Sequence, residues 1–214
     1  MSQIIDPLLI VTLTLNFVAL GVSRIRGIIQ AVALQGMLLG ALPLFMPHSE
    51  IGLRVIVLVV VTIGLKGFVI PAFLVHAMRE ANIQHEVKPI MNYMSSLLLG
   101  AVGTGLALVF SYTLPLTEEH QGLLLVPASL STVWTGFLLL TARKKAITQV
   151  MGYLLLENGI FLFSLLLLEA MPFLVEIGIL LDLFTGVFVM GIIIHHISRE
   201  FASISTEHLT ELKE

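Results

Sequence analysis

Lys66, Glu157 and Asp182 stand near the middle of long stretches of sequence that are otherwise apolar, with Glu176 in the outer part of the last of them. An ionisable group carried into a bilayer costs about 2.5–3.5 kcal/mol on insertion scales, so it normally faces a bundle interior or a hydrated path, where it pairs, titrates or binds an ion. Burial favours the neutral form of such a group, and a neighbouring opposite charge favours the charged form. An alternation of Lys66 with Glu157 or Asp182 therefore predicts a switchable relay: moving a helix breaks a pair and changes proton affinity. Structural ion pairs are the alternative. A lone buried pair adds little net stability because desolvation offsets attraction, and several such groups in one small protein favour function. Glu176 and Asp182 are separated by about 9 Å along a helix and about 120° around it, which makes them successive stations and not a paired-carboxylate site.

Other residues near these four are read in two ways. His76, His195 and His196 stand at the ends of apolar runs; they either pass protons to the cytoplasm or cap helix termini through the dipole. His48, His85, His120 and His208 fall in polar joints or the tail without metal-ligand spacing, so no metal site is expected. Pro71 lacks a backbone donor and frees a carbonyl one turn earlier, near Lys66 and Gly67, which predicts a kink. Gly152, Gly159 and Gly186 permit close helix packing.

The elements that must position these groups follow from composition. The chain is 57% hydrophobic and only 12% charged, with a mean hydropathy of +1.02, whereas soluble domains carry about a quarter charged residues. Apolar runs at roughly 4–23, 27–46, 51–78, 90–112, 122–142, 146–168 and 172–197 each approach the ~20 residues that cross a hydrocarbon core. They lack the alternation of barrel strands, so they are helices. The expected fold is an all-α integral membrane protein of about seven transmembrane helices. Asp6 and Pro7 stand where a cleaved signal would be basic, and the first run is expected to be a span.

Composition also excludes chemistry. With no cysteine and a net charge of -3, thiolate ligation, disulfides and nucleic-acid binding have no support. No nucleotide-binding or hydrolase motif occurs, so no catalytic residue is assigned and the chain cannot power transport itself. Arg24, Arg26, Arg79, Lys88, Arg143, Lys144, Lys145, Arg199 and Lys213 fall on one side if the N-terminus is outside, against Arg54 near the other. Positive charges stay cytoplasmic, which places the chain in the inner membrane with its C-terminus in the cytoplasm.

Two segments recur at an offset of about 120 residues: Ile25 to Gln30 resembles Lys144 to Gln149, and His76 to Glu80 resembles His196 to Glu200. The expected organisation is two parallel three-helix repeats, spans 1–3 and 5–7, joined by an extra helix. Residues 1–80 form the first repeat, 81–121 a cytoplasmic loop and the connecting helix, 122–198 the second repeat, and 199–214 a cytoplasmic amphipathic tail. That tail lies on the membrane surface, docks a partner or frays.

The run Gly152-Tyr-Leu-Leu-Leu-Glu157-Asn158-Gly159, followed by Leu174 through Asp182, closely resembles the signature of hydrogenase-4 component E. The stretch from Lys66 to Pro71 fits that family's first repeat, and Leu209 to Lys213 looks like its end. The family is similar to the NuoK subunit of respiratory complex I and the MrpC subunit of multisubunit cation/proton antiporters. The resemblance implies a non-catalytic membrane-arm subunit of a group 4 NiFe-hydrogenase or formate hydrogenlyase complex, set between antiporter-like membrane subunits and the anchor of the peripheral redox arm. Protons or Na+ would be the translocated ion. It implies no cofactor in this chain, with nickel–iron and iron–sulfur centres in partners. It also carries the family's intramembrane acidic positions to Glu157 and Asp182; the first repeat places Leu38 and Thr62 opposite them. A pure scaffold of the membrane arm, or a component of a cation/proton antiporter, are the alternatives.

Overall fold

The computed structural model describes residues 2–45, 53–80, 89–114 and 124–165. Among these residues the regular structure is helical, with no strand: α1 (Ser2–Gly21), α2 (Ile25–Ala41), α3 (Leu53–Thr62), α4 (Ile70–Glu80), α5 (Tyr93–Ser111), α6 (Leu125–Ala142) and α7 (Ala146–Leu165). A 3-10 turn, Leu42–Phe45, lengthens α2, and a π-helical segment, Ile63–Val69, joins α3 to α4. Five helical stretches are long and apolar enough to cross a membrane: Ile25–Phe45, Val59–Arg79, Tyr93–Ser111, Leu125–Ala142 and Ala146–Leu165. The apolar stretch Ile5–Gly21 is shorter. The expected seventh span, 172–197, lies outside the described residues.

The helices α1, α2, α7 and α6 form a closed ring in which each packs on the next. Helix α5 lies outside the ring against α1 and α6, and the α3–α4 rod lies outside it against α2. Their outer faces are apolar. On α5, Met94, Leu98, Val102, Leu106 and Val109 are exposed at the three- and four-residue spacing of a single stripe, which is the surface a lipid-facing helix presents.

Two apolar clusters fill the ring. One contains Ile25, Ile28, Leu139, Met151 and Leu155; the other contains Leu9, Leu39, Leu42, Leu125, Phe161 and Leu162. Between them, at the middle of each helix, lies a layer of polar side chains. Helices α6 and α7 approach most closely, through glycines. A Cβ built at Gly136 would stand 2.7 Å from the Gly152 carbonyl oxygen, and one at Gly152 would stand 2.8 Å from the Leu140 nitrogen.

The π segment has a local cause. Pro71 stands two residues after its last residue, Val69, and has no N–H to donate to the turn before, while its ring presses on the carbonyl four residues back. The backbone widens instead, and the Ile70 N–H bonds the Leu65 carbonyl five residues earlier. Single π turns of this kind redirect side chains and often mark functional positions. Here the redirected residue is Lys66.

Arg143 keeps its expected place in a loop but is withdrawn from solvent there. It is fully buried at the start of the α6–α7 connection. Its Nη2 donates to the Leu20 carbonyl at 2.7 Å, its Nη1 reaches the Met91 carbonyl at 3.5 Å, and its guanidinium carbon stacks 4.3 Å from the Tyr93 ring centre. The ends of α1 and α6 and the beginnings of α5 and α7 are thereby tied together on one side of the bundle. Lysine has the charge without the planar fork. Arg143→Lys should therefore cost about 1.5–3 kcal/mol, the value of a hydrogen bond to a charged group, read as a lower unfolding midpoint of the purified chain in detergent.

Candidate functional site

Lys66 and Glu157 meet inside the bundle. The lysine projects from the π segment and the glutamate from the middle of α7, and Nζ lies 2.8 Å from Oε1. Their side chains are 15% and 4% exposed, so the pair lies within the protein and away from acyl chains. The geometry requires small neighbours. A Cβ at Gly36 of α2 would stand 2.8 Å from the Lys66 Cβ, so only glycine lets α2 pass this close to the π segment. The Phe161 ring, centred 5.6 Å from Nζ, turns its face toward the ammonium at a distance where a cation is attracted.

From this pair a hydrogen-bonded chain runs across the ring. Lys66 Nζ donates to Asn158 Oδ1 at 3.3 Å, and Asn158 Nδ2 donates to Gln35 Oε1 at 3.2 Å. Gln35 Nε2 donates to Asn16 Oδ1 at 2.9 Å, and Asn16 Nδ2 to Thr132 Oγ1, also at 2.9 Å. Thr132 in turn donates to the Ala128 carbonyl at 2.7 Å. Every bond in this chain points the same way, from donor at Lys66 to acceptor at α6. Each amide is thereby held with its carbonyl toward the lysine side, and Asn158 presents an acceptor to the ammonium. Gln35, Asn16 and Thr132 are each almost completely buried, where an unpaired polar group would cost its full desolvation.

One acceptor is left over. Glu157 Oε2 is buried and has no hydrogen-bond partner among the described residues. Among the described residues the carboxylate is thus partnered on one oxygen, by Lys66, and not on the other. Beside Lys66 and Asn158 lies a small cavity of about 10 Å³, lined also by Pro71, Leu74 and Leu154, about the space of one water molecule.

Of the ionisable residues singled out in the sequence, the structure brings Lys66 and Glu157 together. His76 is exposed near the end of α4, on the rim of a groove described below. Glu176, Asp182, His195 and His196 lie outside the described residues. No group of three or more metal-ligating side chains occurs among the described residues. Sequence reasoning missed Asn16, Gln35 and Thr132. The available signal was amide side chains in mid-span, where polar groups hydrogen-bond across helices.

The chain is 32% identical to "Uncharacterized protein Rv0085" of Mycobacterium tuberculosis over 194 residues, 89% of this chain and 87% of that protein. Over 78 residues it is 37% identical to hydrogenase-4 component E of Escherichia coli and of Shigella flexneri, a match covering 36% of this chain and 36% of those proteins. No family model and no solved structure matches it.

Proposed function

Because the chain belongs to the family of the mycobacterial Rv0085 protein and shares a third of its length with hydrogenase-4 component E, we propose that it is a membrane-arm subunit of a group 4 NiFe-hydrogenase complex. In this reading it is not catalytic. Its Lys66–Glu157 pair belongs to a row of intramembrane charges through which protons move while partner subunits carry out the redox chemistry. Antiporter-like subunits and the anchor of the peripheral arm are the proposed neighbours, and the chain sits with its N-terminus outside. Asp182 and Glu176 would continue the row, with His76, His195 and His196 at its cytoplasmic end.

The observation that carries this reading is the buried carboxylate of Glu157, paired on one oxygen with the part-buried Lys66 ammonium at 2.8 Å and without a partner on the other among the described residues. Protonation at Oε2 cancels the attraction that holds Lys66, and an ammonium released from its partner can turn to the next acidic group in the row. Removal of that proton restores the pair. The same geometry favours protons over Na+. A sodium ion needs several oxygen ligands, whereas the cationic Lys66 already occupies Oε1 of Glu157 and Oδ1 of Asn158.

The test is redox-driven proton movement in membrane vesicles containing the assembled complex. With Glu157→Gln, which keeps the shape and an acceptor for Lys66 but loses the charge, proton movement should fall to the passive leak while the complex remains assembled. Undiminished movement would leave the scaffold reading standing.

A further inference from the structure

A groove of about 580 Å³ opens on the outer side of the bundle between α2 and α4, and the ion pair makes no use of it. Its rim at one end is Arg26, Gln30, His76 and Arg79; its floor includes Met37 and Pro71. Among the described residues no acidic side chain lines it. The two arginines are exposed and come from different helices, one from the first turn of α2 and one from the last turn of α4. Arg26 and Met37 are eleven residues apart on α2, about 16 Å along its axis. The groove therefore begins at the level of the helix ends, with positive charge, and continues well into the hydrocarbon region with apolar walls.

We propose that this groove seats an anionic phospholipid, its phosphate between Arg26 and Arg79 and one acyl chain along the floor toward Met37. The polarity gradient argues for this occupant. A guanidinium offers paired donors matched to phosphate oxygens, and basic pockets between transmembrane helices are the usual seats of anionic headgroups. A free phosphate would use the rim and leave the apolar length unfilled. The volume is within the ~300–1,000 Å³ of ordinary ligand sites. The proposal is independent of whether Lys66 and Glu157 conduct.

The full chain, purified in mild detergent and stripped of lipid, is tested by native mass spectrometry. Phosphatidylglycerol and phosphatidylcholine of identical chains are compared, with glycerol 1-phosphate as a headgroup without chains. Phosphatidylglycerol should be retained preferentially, and glycerol 1-phosphate should not displace it. Near an anionic headgroup each basic residue contributes about fivefold in affinity, so Arg26→Gln with Arg79→Gln should weaken retention about 25-fold. Lys144→Gln with Lys145→Gln, basic residues outside the groove, should change it less than twofold. Ala72→Trp, which fills the groove from an exposed position and keeps both arginines, should displace the lipid without altering the unfolding midpoint. Equal retention of phosphatidylcholine, equal loss in the Lys144 and Lys145 variant, competition by glycerol 1-phosphate, or retention undiminished by Ala72→Trp would each overturn the proposal. So would an Ala72→Cys thiol that becomes protected only when the membrane complex assembles, with no lipid bound; the occupant would then be a partner helix.

Discussion

Glu157→Leu, with Lys66 retained, is expected to destabilise the chain by about 3–5 kcal/mol, and the double change Lys66→Met with Glu157→Leu is expected to recover most of that loss. The single variant leaves an ammonium inside a bundle where, among the described residues, the Asn158 Oδ1 and the Phe161 ring remain beside it. The double variant removes both charges, and two apolar side chains of similar volume then fill the space. Reversible unfolding of the full chain in bicelles, with the two single variants and the double variant, gives the coupling directly. Strict additivity would mean that the 2.8 Å contact carries no energetic link. A recovered double variant has a second use. Under the proposed function it should assemble and fold yet fail to move protons, which separates a structural from a conducting role.

The two ends of that pair were legible because charge is conspicuous in an apolar run. Lys66 and Glu157 needed no more than the cost of ionisable groups in hydrocarbon to be singled out. Their partners were not, since Asn16, Gln35 and Thr132 carry no charge and a lone amide in a spanning helix leaves the hydropathy of its window almost unchanged. What makes them a network is register across four helices, and register between helices is a property of packing. The helical rods themselves were readable to within a few residues: the run expected at 27–46 is the helix Ile25–Phe45, and that at 146–168 is Ala146–Leu165.

Other features were hidden for different reasons. Pro71 announced a disturbance near Lys66, but whether the backbone kinks, breaks or widens depends on what α2 allows alongside, and Gly36 and Gly40 allow the close approach. Arg143 was counted among the cytoplasmic charges because loop position is all that charge counting sees. Its burial follows from carbonyls at Leu20 and Met91, groups every residue has and no sequence pattern displays. The histidine and acidic positions of the last span fall outside the described residues.

The glycines of α7 carry the second large effect. Gly152 and Gly159 are seven residues apart and therefore share a face, while Glu157 is about 200° from Gly159 and points away from it. One side of α7 thus lies against the backbone of α6, and the other carries the carboxylate and Asn158 toward Lys66 and Gln35. A Cβ at Gly159 would stand 2.6 Å from the Val133 nitrogen and 2.9 Å from the Ser129 carbonyl oxygen. These obstacles are backbone, which has no rotamer to yield. Gly152→Ala or Gly159→Ala should force the helices apart and cost about 1–3 kcal/mol or more. Gly105→Ala, in α5 where nothing lies within 4 Å of the new methyl group, should instead gain up to about 0.5–1 kcal/mol from helix propensity. The same displacement that relieves the clash moves α7 toward α2 and disturbs the Asn158–Gln35 bond, so proton movement should fall with stability in the α7 variants and stay intact in the α5 variant. Unfolding curves that place Gly152→Ala beside Gly105→Ala would show that α6 and α7 are not in backbone contact, and the positioning of Glu157 would then need another cause.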